Sequence, residues 1–200
     1  MWTLVRRSVG AGAVAAATML AAACGGSAEG TATAADAASE SSSPSTSESA
    51  IAGQEGSDRG GRVDLDVEIG DCVRLGGTMD SATIAEAVCA SEGSNYKVVA
   101  KAKDSEQCPS DVDQIYSESM FGSDVGVLCL DVDWVEGGCM SLPATNDDDP
   151  QRVDCDDPNA SSVERVTEII EGVSDPTVCP EGGFVYDERL FTVCAETVRA

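Results

Sequence analysis

The residue types in this 200-residue chain that could carry chemistry are carboxylates and cysteines: thirty-six Asp and Glu and nine Cys, with no His at all. Without imidazole there is no Ser-His-Asp or Cys-His pair, no His-ligated zinc and no ordinary histidine pH switch. The acids cluster as Asp131 and Asp133, Asp147-Asp148-Asp149, and Asp154, Asp156 and Asp157. Such groups suit a hard cation, since Ca²⁺ takes six to eight oxygen ligands. The EF-hand pattern fails, however. Loops begun at Asp64, Asp131 or Asp147 place Ile69, Glu136 or Arg152 where the turn needs Gly, and none ends in Glu. Solvated acidic loops are therefore expected, with no metal and no cofactor. A carboxylate pair for glycoside hydrolysis can be drawn almost anywhere among so many acids, so it singles out no residue. Ser94-Asn95-Tyr96-Lys97 spells the S-x-x-K of penicillin-binding enzymes, but no S-D-N or K-T-G accompanies it. The net charge of −24 repels phosphate backbones and argues against a nucleic-acid partner.

The cysteines give the stronger signal. Apart from Cys24, they fall into two sets of four: Cys72, Cys89, Cys108 and Cys129, then Cys139, Cys155, Cys179 and Cys194. There is no C-x-x-C, which argues against a thioredoxin-type motif and a zinc knuckle. An even set in an exported chain reads as four disulfides. The two sets match beyond their cysteines. Gly70-Asp71-Cys72-Val73-Arg74-Leu75 aligns with Gly137-Gly138-Cys139-Met140-Ser141-Leu142, Asp104 to Cys108-Pro109 aligns with Asp175 to Cys179-Pro180, and Val127-Leu128-Cys129-Leu130 aligns with Thr192-Val193-Cys194-Ala195. In each set a Tyr, Tyr116 or Tyr186, lies upstream of the last Cys. This is the pattern of a degenerate internal repeat. Each set allows three connectivities. The sequential one is favoured (Cys72–Cys89, Cys108–Cys129, Cys139–Cys155, Cys179–Cys194), because neighbouring strands would carry each pair; spacing alone leaves the others open.

The elements that must position these groups are mainly strands. Val63 to Ile69 alternates apolar and acidic residues, the pattern of a half-buried strand. Lys97–Lys103 and Gly126–Trp134 also have strand character, and Gly137-Gly138 supplies a turn. A short helix is expected from Cys108-Pro109-Ser110-Asp111 through Ser117, with Val112, Ile115 and Tyr116 on one face. The stretch 161–172 is ambiguous. Ser161-Ser162-Val163-Glu164 resembles a capping box, yet the repeat alignment sets this stretch opposite the strand around Val98, which favours strand. The expected fold class is α+β, mainly antiparallel β: a small disulfide-stapled domain of two degenerate four-Cys repeats with one or two short helices. Trp134, Tyr96 and Tyr116 are expected in its core, which has only seven aromatic residues to draw on after Cys24.

The N-terminal part reads as an address. Arg6-Arg7 precede an apolar run from Val9 to Ala23, and no acid occurs before Glu29. That is a secretory signal peptide, too short to span a bilayer. It ends Leu20-Ala21-Ala22-Ala23-Cys24, which resembles a bacterial lipobox, so Cys24 is the expected lipid attachment site and 1–23 the cleaved segment. Two or three acyl chains would anchor it stably. Cleavage removes two Arg and no acid, which takes the charge from −24 to −26. From Gly25 to Arg62 the chain is mostly Ala, Gly, Ser and Thr, so 24–62 reads as the lipidated Cys plus a disordered tether. The first repeat then spans 63–136 and the second 137–200, together one compact unit.

Taken together, the lipobox, tether and eight-Cys pattern resemble the LppU-type lipoproteins of mycobacteria and other actinobacteria. The resemblance covers about 63–196. It rests on Gly70-Asp71-Cys72-Val73, Ser94-Asn95-Tyr96-Lys97-Val98, Cys108-Pro109-Ser110-Asp111-Val112-Asp113, Cys129-Leu130-Asp131-Val132-Asp133-Trp134, Gly137-Gly138-Cys139-Met140, Arg152-Val153-Asp154-Cys155 and Val193-Cys194. A fainter likeness runs to septum-formation-type extracytoplasmic domains. The resemblance implies a cell-envelope lipoprotein on the extracytoplasmic face of the membrane, without an established activity. The expectation is a non-enzymatic binding or scaffolding module, held to the membrane by its lipid and meeting an envelope protein or glycan. The alternatives are a carboxylate-dependent envelope hydrolase and a Ca²⁺-dependent adhesive domain.

Overall fold

The computed structural model describes residues 5–8 (backbone only), 50–78, 81–145 and 148–199. The apolar run 9–23, Cys24 and the tether up to residue 49 lie outside the described residues, as does Asp147. Among the described residues there are eleven strands: β1 (Val5–Ser8), β2 (Cys72–Thr78), β3 (Ser81–Ala87), β4 (Tyr96–Ala102), β5 (Gln114–Met120), β6 (Ser123–Val132), β7 (Cys139–Ser141), β8 (Gln151–Val153), β9 (Val163–Glu171), β10 (Gly183–Tyr186) and β11 (Phe191–Arg199). They form two sheets, ordered β1-β5-β6-β4-β2-β3 and β10-β11-β9-β7-β8. All pairings are antiparallel except that of β1 with β5. If β2 to β6 are replaced in order by β7 to β11, the first sheet without β1 acquires the strand order of the second.

One apolar core unites residues of both sheets. Val73, Leu75, Tyr96, Val98, Tyr116, Leu128 and Leu130 from the first meet Met140, Val166, Tyr186, Phe191 and Val193 from the second. Trp134, just past β6, stacks on Phe184 at 4.8 Å between ring centroids and donates its Nε1–H to the Tyr186 hydroxyl at 2.7 Å. A smaller cluster (Val99, Ala100, Ala102, Val127 and Cys129) lies under Cys108, Val112 and Ile115.

Two expectations are corrected here. Among the described residues there is no α-helix, only 3₁₀ turns at Ser105–Gln107 and Pro176–Val178, so the α+β class gives way to two mainly antiparallel sheets. The expected helix through Ser117 is instead a turn followed by β5. Ile115 and Tyr116, assigned to one helical face, go to the two different clusters, as successive strand residues must. Asp111, in the segment expected to open that helix, pairs with a buried Arg189.

Val63 to Ile69 keeps its alternation of burial, yet it forms no ladder. Side chains hold its backbone: the Lys101 ammonium donates to the Val67 carbonyl at 2.7 Å, and the Asp64 N–H donates to Glu118 at 2.9 Å.

Residues 50–62 are ordered rather than tether. β4 pairs with β2 only at its first two residues, which leaves the rest of that side open. The Gly56 N–H donates to the Val99 carbonyl (2.7 Å) and the Arg59 N–H to the Lys101 carbonyl (2.8 Å) along this side. Small residues make the approach possible. A Cβ on Gly61, which sits at φ +95°, would lie 2.2 Å from the Ala102 carbonyl oxygen. Composition suggested disorder because few side chains there can be buried, but backbone hydrogen bonds, Ile51 and Gln54 provide the order.

The ambiguous stretch 161–172 is β9, paired with β7 and β11. Its helical appearance comes from a bulge. Glu168 faces Cys194 and Val166 faces Ala195, so Thr167 is extra. The bulge lets Val166 and Ile169, three apart, pack on the same core.

Candidate functional site

The eight cysteines form four disulfides, Cys72–Cys89, Cys108–Cys129, Cys139–Cys155 and Cys179–Cys194, with Cα separations of 5.0, 5.6, 5.2 and 5.2 Å. These are the sequential pairs. The reason is visible in the register. Cys72 faces Ala87 across the β2–β3 ladder and Cys139 faces Val153 across β7–β8, so in both sheets the partner Cys lies two residues past the facing position. The other two bridges tie the residue after each 3₁₀ turn to the strand behind it.

The interior acids converge on one cation. The Arg189 guanidinium stands on the turn between β10 and β11, with only 6% of its side chain exposed. It grips Asp131 of β6 with two bonds, Nη1 to Oδ2 at 2.6 Å and Nη2 to Oδ1 at 2.9 Å, and reaches Asp111 through Nε at 2.8 Å. It also donates to the backbone carbonyls of Asp111 and Gln54. Its Cζ lies 5.2 Å from the Tyr186 ring centroid and 5.5 Å from that of Phe191, within cation–π range. Asp111 returns bonds to the N–H groups of Glu188 and Arg189, so the two turns clasp each other.

Beside this clasp, Asp113 accepts from the Tyr186 hydroxyl at 2.6 Å and the Val132 N–H at 2.8 Å. Burial, reinforced by the charge of Asp131, pushes its carboxyl up to about 7. Asp131 has the fixed guanidinium as a bidentate partner and Asp113 does not, so Asp113 is the acid that takes up a proton first.

A second buried knot surrounds Asp133. Its carboxylate accepts from the Ala90 N–H and the Ser94 hydroxyl, both at 2.7 Å, and pairs with Arg152 at 3.1 Å. The adjacent Asn95 side chain accepts from the Leu75 N–H and donates to the Leu75 and Pro150 carbonyls. Tyr96 donates to Asp149 at 3.0 Å, and burial pushes its phenol far above the ordinary value. Ser94 of the S-x-x-K string is fully buried and donates its proton to the Asp133 carboxylate that Arg152 also holds, so it is a member of this knot.

Of the other acids, Asp157 turns its carboxylate on the Asn159 backbone. Among the described residues no three Cys, Asp or Glu side chains converge as a cation site would require. An open groove of about 560 Å³ runs past Glu106, Pro109, Asp111, Asp113, Ile115 and Asp187. Asp111 and Asp113, its central acids, are the ones committed to Arg189 and Tyr186.

The surface holds what the sequence reading missed. The β5–β6 hairpin pairs Met120 with Ser123, which leaves a two-residue turn of Phe121 and Gly122. Both have positive φ, +53° and +84°. A left-handed Phe is rare, because such turns favour Asn-Gly. Phe121 is 98% exposed, flanked by the partly exposed Met120 and Val125. One of the seven aromatics expected in the core therefore stands outside it. The only available signal was Met-Phe-Gly inside a polar hairpin, which reads equally as the end of a core strand. Family models, curated proteins and solved structures return no match to this chain.

Proposed function

We propose that the chain is a lipid-anchored extracytoplasmic domain of the LppU-type lipoproteins, and that it works by binding, not by catalysis. It is held through Cys24 and built from a duplicated four-Cys unit. The shared strand order and the matching disulfide offsets support duplication. Four disulfides suit an oxidising compartment outside the cytoplasm.

The observation that carries the binding function is the Phe121 tip. An aromatic ring held in left-handed backbone and almost fully in water stabilises nothing within the domain, so it serves a contact made with something else. The charge of the processed chain, −26 after the loss of two Arg, argues against an anionic lipid surface as that contact. It favours a protein with an apolar pocket ringed by basic groups. A photo-crosslinking side chain at position 121, in cells, should yield one discrete adduct that is lost when Met120 and Val125 are both changed to Asp. A screen on envelope glycans, peptides and esters that found turnover abolished by one carboxylate substitution would overturn the proposal. The anchor has a separate test: Cys24→Ala should move the protein from the membrane to the medium.

A further inference from the structure

At one place the first half of the molecule is covered and the matching part of the second is not. In the first half the Val98 N–H donates to the Asp71 carbonyl and the Gly70 N–H to the Val98 carbonyl. In the second, Val166 makes the same two bonds with Gly138 and Gly137. One bulged residue follows in each strand, Val99 in β4 and Thr167 in β9, so Lys101 corresponds to Ile169 and Lys103 to Glu171. Past the bulge, residues 56–60 cover β4. Gly56 donates to the Val99 carbonyl, Arg59 to the Lys101 carbonyl, and Asp58 pairs in parallel with Lys101. β9 has no such cover among the described residues, where no N–H reaches the Thr167 or Ile169 carbonyl from that side. The Ile169 N–H donates to the Glu136 carboxylate at 3.0 Å, in the place where the Lys101 N–H meets the Ser57 carbonyl. Val99, Ala100 and Ala102 are buried, whereas the corresponding Thr167 and Glu168 are exposed and Ile170 is half-buried. An uncovered strand side is a site of strand addition.

We infer that this side of β9, from Thr167 to Glu171, binds an extended, basic segment of a partner protein, laid parallel to β9 as residues 56–60 are laid on β4. The inference goes beyond the proposed function, since it concerns the other half and does not use Phe121. The first half demonstrates the mode: the same unit takes a parallel segment at this place through backbone groups. Charge selects the occupant. On β4 the acidic Asp58 lies opposite the basic Lys101. On β9 the positions of Lys101 and Lys103 hold Ile169 and Glu171, and Glu136 and Glu168 beside them are exposed acids. The single basic residue of β9, Arg165, is held by Glu196 at 3.0 Å. An edge with three glutamates and no free basic residue of its own strand is complementary to Lys or Arg in the ligand. The Glu136 carboxylate occupies the Ile169 N–H until a ligand carbonyl replaces it. Backbone pairing supplies affinity and the glutamates supply selectivity.

The test uses the full chain in detergent and two capped heptapeptides. One has the sequence of residues 55–61 with Glu55→Lys and Asp58→Lys; the other keeps both acids. Amide hydrogen exchange is followed residue by residue, and protected β6 and β11 amides report that the chain is folded. At millimolar concentration the basic peptide should slow exchange at Ile169 and Glu171 by about tenfold and leave Lys101 and Lys103 unchanged. The acidic peptide should bind about tenfold more weakly, and Glu168→Lys in the protein should weaken the basic peptide by about threefold. No effect at Ile169 and Glu171 would overturn the inference, and so would equal binding of the two peptides. A change at Lys101 alone would overturn it too, because the peptide would then have displaced residues 56–60 from β4. Slowed exchange that rises with protein concentration without peptide would overturn it in favour of a second copy. Binding seen only after deletion of residues 25–49 would overturn it in favour of the chain's own segment. Failure here leaves the adduct at position 121 in place, and loss of that adduct leaves the β9 result in place, so the two readings fall separately.

Discussion

The two halves of this molecule share a strand order and differ at their edges. In the first sheet β5 and β3, the counterparts of β10 and β8, are seven residues long, and the β5–β6 turn carries an exposed Phe121. In the second sheet the outer strands β10 and β8 are only four and three residues long. Its equivalent turn, 187–190, turns Arg189 inward onto acids of the first half. The second half has short edges and an inward turn that braces the domain, whereas the first has longer edges and an outward turn; in the proposed function that turn meets the partner. Strand order alone does not separate the two halves; edge length and the direction of turn side chains do.

The comparison can be tested first at its brace. Arg189→Leu strands Asp111 and Asp131 as buried, unpaired charges, so it should cost about 3–5 kcal/mol in urea unfolding. Arg165→Leu, which breaks a half-exposed pair with Glu196, should cost less than about 1 kcal/mol. Equal losses would remove Arg189 from its role as brace.

The corresponding disulfides come next. Replacing Cys72 and Cys89 together, or Cys139 and Cys155 together, by Ala should cost about 3 kcal/mol in each case, since they close loops of similar length. A large inequality would show that one half carries the fold without the other.

The third test is a pH titration of stability. The Asp113 carboxyl rises from its ordinary 3.8 to about 7 in the folded protein, so the folded state binds the proton more tightly than the unfolded chain does. Its contribution is fully present below pH 4 and is lost as pH rises towards and through 7, with a slope of at most about 1.4 kcal/mol per pH unit. Asp113→Asn keeps an oxygen for Tyr186 and Val132, and should flatten that slope between pH 4 and 7. A slope unchanged in the variant would assign the proton to another group.

The smallest effect on stability belongs to the outward turn. Phe121→Asn and Leu190→Asn both place a residue tolerant of positive φ in a left-handed position, so each should change stability by less than about 1 kcal/mol. Only Phe121→Asn should weaken partner binding, measured as loss of copurified partner from cells.

Much of the disulfide scaffold was legible because its information is local. A two-residue offset past a facing strand position is the same in both halves, and the repeated Gly-Cys and Cys-Pro motifs mark it. Strand character at β4 and β6 was legible for the same reason. The helix expected through Ser117 was not avoidable from sequence, because Val112, Ile115 and Tyr116 have helical spacing and their two destinations are set by different layers. The order of 50–62 was hidden too, since it depends on an open side of β4 far along the chain. Arg189 gave no sign of its importance. Its partners Asp111 and Asp131 lie 78 and 58 positions away, among many other acids.

By itself, then, the sequence determined that eight cysteines pair and that strand predominates, because cysteine count and period-two alternation are read along the chain, while it favoured the sequential connectivity without fixing it. The tertiary structure alone decided which acids are buried and neutralised, which aromatic stands in water, and which register joins each cysteine pair. Those outcomes depend on which distant segments share a layer, and burial, not residue type, then sets what a carboxylate or a phenyl ring can do.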